Sequence, residues 1–315
     1  MIPAGEVEYF SGFSWEVRDC AACGSRFTKH DDAVHERFHE SGATSYYLEY
    51  GSLAADAKAF FDRGDREGLE ALLSGNSKYR FIVNSVRGLA KSPRVLEIGS
   101  SRGYLTAWFV LSGYDALGVD VSATAVDAAR AAFGDHFALS GDPRIRDRAP
   151  YDAIFHVGLI GCVSDPIGLT RDLLGMLKPG GRLLFNAPNK QCCSLRNQLW
   201  LDSAPPPDLI TLFAPGFWER LFSPVAEVSE EVELWPIDKS VEIALRERFG
   251  PAWQKPVARP LAPSINNIAD RSSGVLPFWR LIERAVVKVG RVTGLSRLVA
   301  RRPFDFGIFV TMVKR

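Results

Sequence analysis

From Pro93 onward the chain alternates short apolar runs with stretches whose apolar residues recur at helical spacing. RVLEIG, ALGVDVS, FALSGD, DAIFHVGLIG and RLLFNAP read as strands, since short apolar runs closed by turn residues suit buried strands. TAWFVLSGY, ATAVDAARAAF and PIGLTRDLLGMLKPGG read as the helices between them, the last stopped by Pro-Gly-Gly. Strands joined by helix-length connections imply parallel pairing through right-handed crossovers. The expected fold class is therefore α/β, a doubly wound, mostly parallel sheet of seven strands. VAEVSEEVELW and the closing FGIFVTMVKR supply its last two strands, and LITLFAPGFWERLF reads as a helix before them.

The flanks have a different texture. LAADAKAFFDRGDREGLEALL and SKYRFIVNSVRGLA show helical spacing broken around Gly64 and Gly75, and they lead into the core. Residues 240 to 302 interrupt the sheet with a Pro-rich loop and a basic amphipathic stretch containing Arg280, Arg284, Lys288 and Arg291. The expected organisation is a zinc-binding segment over 1–45, a helical lead-in over 46–92, a core over 93–239, a helical insertion over 240–302 and a final core strand over 303–315.

Composition narrows the partners. Lys plus Arg number 38 against 37 for Asp plus Glu, so no global field draws the protein to nucleic acid, and none is expected as a partner. The N-terminus lacks a basic region followed by an apolar run, and no window approaches a membrane span, so a cytoplasmic location is expected. The basic stretch over 278–302 is a candidate for peripheral membrane contact, with a solvated helix face as the commoner outcome. Five cysteines, unevenly spread, suit a reducing compartment, and the adjacent Cys192 and Cys193 read as small buried residues.

Half of the chain's ten Cys and His fall within CAACGSRFTKHDDAVHERFH, residues 20 to 39. Cys20 and Cys23 are spaced C-x-x-C, and His35 and His39 share one face of a helix, as a tetrahedral Zn2+ site needs. Asp31, Asp32, Glu36 and Glu40 on that helix would repel phosphate, which argues against a nucleic-acid-reading finger. The alternative is a free cysteine pair beside an exposed helix. Four protein ligands would leave no open position, so the zinc is expected to be structural.

VLEIGSSRGYL, residues 95 to 105, carries the most specific signal. Gly99 and Gly103 bracket a tight loop between an apolar strand and a helix, where backbone can approach a ligand and a helix N-terminus faces it. Asp120 ends the next strand 21 residues after Gly99, placed to accept both hydroxyls of a ribose. The pattern is E-x-G-x-x-x-G and not the dinucleotide-binding G-x-G-x-x-G.

With GVDVS, SGD, YDAIFHVGLIGCVSDP, LKPGGRLLFNAPN and FGIFVTMVKR following in order, the chain resembles Rossmann-like (class I) S-adenosylmethionine-dependent methyltransferases. The resemblance spans 93 to about 237 and the last strand. It implies S-adenosyl-L-methionine as cofactor, with Glu97, Gly99, Ser101 and Gly103 at its methionine end, Asp120 and Val121 at the ribose, and Asp142 near the adenine. Gly161 and Cys162 stand where relatives often have Glu-His, and Asp208 stands where a His often follows the prolines, so roles at those positions do not carry over. The expected acceptor is a small molecule such as a sugar, nucleotide-linked intermediate or natural product. RNA or protein methylation, or a non-catalytic binding role on this scaffold, are the alternatives. His156 is the candidate general base and a candidate cofactor contact, with packing beside the cofactor as its other reading. Asn189, with Asn186, would orient the acceptor.

Overall fold

The computed structural model describes residues 2–8, 14–28, 47–89, 92–195, 198–201, 204–234, 240–241, 285, 288–290, 292–294, 298 and 303–315. The expected insertion over 240–302, its basic face, and the ligand candidates His35 and His39 lie largely or wholly outside them.

Strands β4 (Arg94–Ile98), β5 (Asp115–Asp120), β6 (Phe137–Leu139), β7 (Tyr151–His156) and β8 (Leu177–Ala187) run parallel. Beyond β8 lies β11 (Pro303–Lys314), antiparallel to it, and then β10 (Ala226–Leu234), antiparallel to β11. The resulting order, β10-β11-β8-β7-β4-β5-β6, is the expected seven-stranded, mostly parallel sheet.

Its central strands β4, β5, β7 and β8 are largely buried on both faces, which is why they read as near-continuous apolar runs, whereas β10 at the edge alternates. Successive residues point to opposite sides. Val95, Phe155 and Leu184 join one core with α1 (Tyr47–Asp62), α2 (Arg66–Ser74), α3 (Ser77–Val86), α4 (Tyr104–Leu111) and α5 (Ala123–Phe133). Leu96, Ile154, Leu183 and Phe185 join the other, beside the short α6 (Arg144–Asp147), α7 (Pro166–Gly175) and α9 (Phe217–Phe222). A short helix α8 (Gln191–Leu195) follows β8. Asp65, Asn76, Ser122 and Asp165 cap four of these helices by accepting a backbone N–H with their side chains.

One expectation needs correction. LITLFAPGFWERLF is not one helix: Thr211–Leu212 forms β9, and only Phe217–Phe222 is helical, started by Gly216 in the left-handed region at φ 77°. The Pro215-Gly216 pair breaks the helical pattern, and β3 (Arg26–Thr28) captures β9. The same capture ties the N-terminal segment to the core. β1 (Ile2–Glu8), β2 (Ser14–Asp19), β3 and β9 make one four-stranded antiparallel sheet, so these N-terminal strands are joined through β3 to the chain after β8.

Candidate functional site

The site is organised by the loop between β4 and α4. Gly99, Ser101 and Gly103 all adopt positive φ, at 74°, 47° and 81°. A side chain on Gly99 would meet Leu159 only at ordinary contact distance, so Gly99 serves the turn's backbone. Gly103 does more: a Cβ there would lie 2.5 Å from the Phe137 ring and 2.9 Å from Ala129. Its role is close packing of α4 against β6 and α5, where ligand approach was the expectation. Ser101 holds a left-handed conformation that costs a non-glycine residue about 1–2 kcal/mol. What holds it is Asp120, whose Oδ2 accepts the Ser101 N–H at 2.8 Å.

Asp120 sits at the C-terminal end of β5, only 9% exposed. Its Oδ1 accepts the Ser122 N–H at 2.9 Å, so the carboxylate ties the glycine loop to the start of α5 while each oxygen keeps further acceptor capacity. Beside this buried acid two apolar side chains are bare: Val121 is 57% and Leu139 41% exposed. They form an apolar shelf at the carboxyl ends of β5 and β6, the sheet edge where doubly wound folds bind ligands. Asp142 stands on the same edge, but Arg144 occupies it: the Arg144 N–H bonds Oδ1 at 2.9 Å and its guanidinium bonds Oδ2 at 3.0 Å. Those bonds hold the Asp142 carboxyl below the usual range, and its main work is ordering the turn into α6.

Glu97 is buried, and burial pushes its carboxyl up to about 8 against the opposing effect of Thr106, whose hydroxyl donates to it at 2.5 Å. It is therefore protonated at neutral pH. His156 is wholly buried at the end of β7, stacked on Phe185 at 4.7 Å with Trp218 edge-on beyond that ring. Neither ring nitrogen has a partner among the described residues, and burial lowers its pKa to about 3. The imidazole is therefore neutral and, like Asn186 and Asn189, enclosed by the described residues. Asn189 is also fully buried, and its Oδ1 accepts the Gln191 N–H at 2.9 Å. Asn186 accepts the Gly158 N–H at 2.9 Å, fixing the turn after β7. The side-chain nitrogens of both asparagines have no partner among the described residues.

Residues 160–162 form one 3-10 turn at this edge, covered by the chain from 205 to 213. Ile210 N–H donates to the Gly161 carbonyl at 2.9 Å, and a Cβ on Gly161 would lie 2.4 Å from Leu209 and 2.5 Å from Pro188. A larger residue at Gly161 would require Leu209 and Pro188 to move. The Cys162 thiol, on a half-buried residue, is raised well above its usual value by burial and by the Asp208 carboxylate. Asp208 itself is 5% exposed, and burial raises it to about 7. Sequence reasoning noted Asp208 only as a missing histidine; burial, which the proline-rich run does not reveal, is what distinguishes it.

The N-terminal cysteines end β2 and form the following turn. Gly24, at φ 77°, closes it with an N–H to the Cys20 carbonyl at 2.8 Å. The Cys20 thiol is lowered by the Cys23 N–H, the Cys23 thiol and the Ala22 N–H, which together favour a thiolate. Lys190 Nζ reaches the Gly24 carbonyl at 2.6 Å, Arg220 the Cys23 carbonyl at 3.0 Å, and the Ala214 N–H the Ser25 hydroxyl at 3.1 Å. The turn is thus tied to the residues that follow β8. Among the described residues no group of three or more His, Cys, Asp or Glu is placed to hold a metal ion. Nor, among them, is any helix long and apolar enough to cross a membrane.

Comparison with known proteins completes the picture. No curated protein matches the chain. Among solved structures, a SAM-dependent methyltransferase from Archaeoglobus fulgidus shares 15% identity, covering 86% of this chain and all of its own, at a TM-score of 0.43. The YcgJ protein from Bacillus subtilis shares 15%, covering 75% and 97%, at 0.44. The plantazolicin methyltransferase BpumL, in complex with SAH, shares 14%, covering 90% and 95%, at 0.41. A family model described as a methyltransferase domain matches residues 61–224, just over half of the chain. The chain belongs to the methyltransferase domain family and is an S-adenosylmethionine-dependent methyltransferase.

Proposed function

We propose that the protein moves the methyl group of S-adenosyl-L-methionine to a small-molecule acceptor. The observation that carries the donor site is the pairing of a buried carboxylate, Asp120, with the bare Val121 and Leu139 beside it. A ribose offers two hydroxyls to such an acid, and an adenine covers such a shelf. Glu97 and the Gly99–Gly103 loop hold the methionine end, Asp120 the ribose, and Val121, with the turn at Asp142, the adenine.

When bound, the donor supplies a methyl group already activated by its sulfonium. The residues of this chain then have to orient the acceptor and exclude water. The 158–162 turn, the strand after Asp208 and the buried Asn186 and Asn189 make that wall. A net formal charge of only +1 supports a small acceptor over RNA.

Zn2+ is part of the same reading. The thiolate-favouring turn of Cys20 and Cys23 fits two metal ligands, and His35 and His39, outside the described residues, would complete a tetrahedron. The metal's contribution there is structural, fixing the acceptor wall through Lys190, Arg220 and Ala214.

Calorimetry with S-adenosylhomocysteine tests the donor site. Asp120→Ala should weaken binding by about 3 kcal/mol, the size of two hydrogen bonds to a charged group. Unchanged affinity, or tighter binding of NAD than of S-adenosylhomocysteine, overturns the assignment. Incubation with methyl-labelled donor and separate metabolite, RNA and protein fractions reads the acceptor class, with label expected in the metabolites.

A further inference from the structure

A second cavity lies away from the donor site, at the far end of α4. It measures about 640 Å³, inside the range of about 300–1,000 Å³ that small-molecule sites occupy, and Arg66, Glu70, Arg87, Trp108, Ser112 and Tyr114 contribute to its wall. α4 runs from Gly103 in the donor loop to Ser112, and β5 runs from Asp115, next to Tyr114, to Asp120. The cavity and the donor site therefore sit at opposite edges of the sheet.

The wall carries hydrogen-bond donors that the fold leaves unused. Trp108 Nε1 and Ser112 Oγ are both buried without a partner among the described residues, and Trp108 is only 3% exposed. An indole N–H can only donate, so an acceptor oxygen is what satisfies it, and leaving it unpaired is costly. Two guanidiniums stand on the same wall. Arg87 is paired with Glu70, whereas Arg66 has among the described residues only Glu67 at 3.8 Å, a contact between side chains 53% and 89% exposed. Burial raises the Tyr114 hydroxyl, and the charges of Arg87 and Arg66 oppose that rise, so both cations act on the polar end of this ring. The acceptors nearby are already engaged: Glu70 by Arg87, and the last carbonyls of α4 by the N–H groups of Ser112, Gly113 and Tyr114. The Trp108 and Tyr114 rings, with centroids 6.2 Å apart, give the cavity an aromatic side.

We propose that this cavity binds a small aromatic carboxylate, whose carboxyl group is held by Arg66 and Arg87 and whose ring lies against Trp108 and Tyr114, with Trp108 Nε1 and the Ser112 hydroxyl as further donors. A guanidinium matches a carboxylate in charge and in planar geometry, and aromatic walls select a flat body over an aliphatic one. The site stands apart from methyl transfer and does not rest on the donor reading above.

The test uses the full chain with benzoate and its neutral analogue benzamide, each read by saturation transfer to its ring protons. Benzoate is expected to bind with a Kd on the order of 1 mM, as so small a ligand can, and benzamide at least fivefold more weakly. Arg66→Gln and Arg87→Gln should each weaken benzoate at least threefold and leave benzamide unchanged, and Ser112→Ala should weaken both probes slightly. Arg66 is half exposed, so Arg66→Gln carries the comparison if Arg87→Gln, which also strips Glu70 of its partner, does not fold. Saturating S-adenosylhomocysteine should leave the benzoate signal in place. Equal binding of the two probes, benzoate binding untouched by the arginine substitutions, or displacement of benzoate by S-adenosylhomocysteine each overturns the proposal. S-adenosylhomocysteine failing to bind the wild type would remove the donor reading and leave this inference standing.

Discussion

Glu97 is a carboxylic acid that keeps its proton where most are ionised. Its value unfolded is 4.5 and folded about 8, so across that interval the folded chain binds more protons than the unfolded one. Its contribution to stability is therefore full below about pH 4.5 and is lost as pH rises through 8. Asp208 acts with the same sign through about 7, whereas His156, lowered to about 3, acts with the opposite sign below its ordinary range. Glu97→Gln keeps a neutral group in place, so the fall in melting temperature between pH 5 and 8.5 should be shallower than in wild type. Parallel curves would show that the acid is ionised in the fold. The sequence placed Glu97 at the end of an apolar strand, but not its protonation. That depends on burial and on Thr106, nine positions later on another element. His156 shows the converse: its position at the strand end was legible, its inaccessibility was not, because Phe185 and Trp218 cover it from distant segments.

Among the elements, the turn from β4 to α4 is the one in which backbone geometry and packing coincide. Gly103→Ala would drive a methyl into Phe137 and Ala129 and impose a left-handed residue as well. The expected loss is about 2–4 kcal/mol of stability, read from urea unfolding, since overpacking and strain add. Gly99→Ala meets only Leu159 at 3.7 Å and should cost less. Equal costs would mean that Phe137 gives way. The parallel strands and most helices were legible because apolar runs, helical spacing and glycine breaks are local signals. β9 was not, since two residues become a strand only because β3 lies beside them. The acceptor wall was illegible for the same reason: Gly161, Leu209 and Pro188 meet in space and not in sequence.

At the scale of the molecule, two sheets are joined by the chain that leaves β8. The N-terminal sheet borrows β9, and the cysteine turn is bonded to Lys190, Arg220 and Ala214. Elemental analysis of freshly purified protein should give one zinc per chain, and Cys20→Ser with Cys23→Ser should lose it. Limited proteolysis of that variant should cut within the first 46 residues while the seven-stranded core survives. Full-strength protection with no metal would show that the strands alone hold the segment. The seven-stranded sheet has its own dependence on order. β11 lies between β8 and β10 yet follows both along the chain, with residues 235–302 intervening. On the ribosome, β8 and β10 are therefore made without the strand that joins them, and at ordinary elongation rates the gap lasts on the order of ten seconds. During that interval β8 presents an open edge with Leu183 and Phe185 on one face, a template for pairing with neighbouring nascent chains. Crowded polysomes and slow codons over 235–302 would lengthen that exposure, which makes translation speed through this stretch a determinant of how much active enzyme a cell recovers.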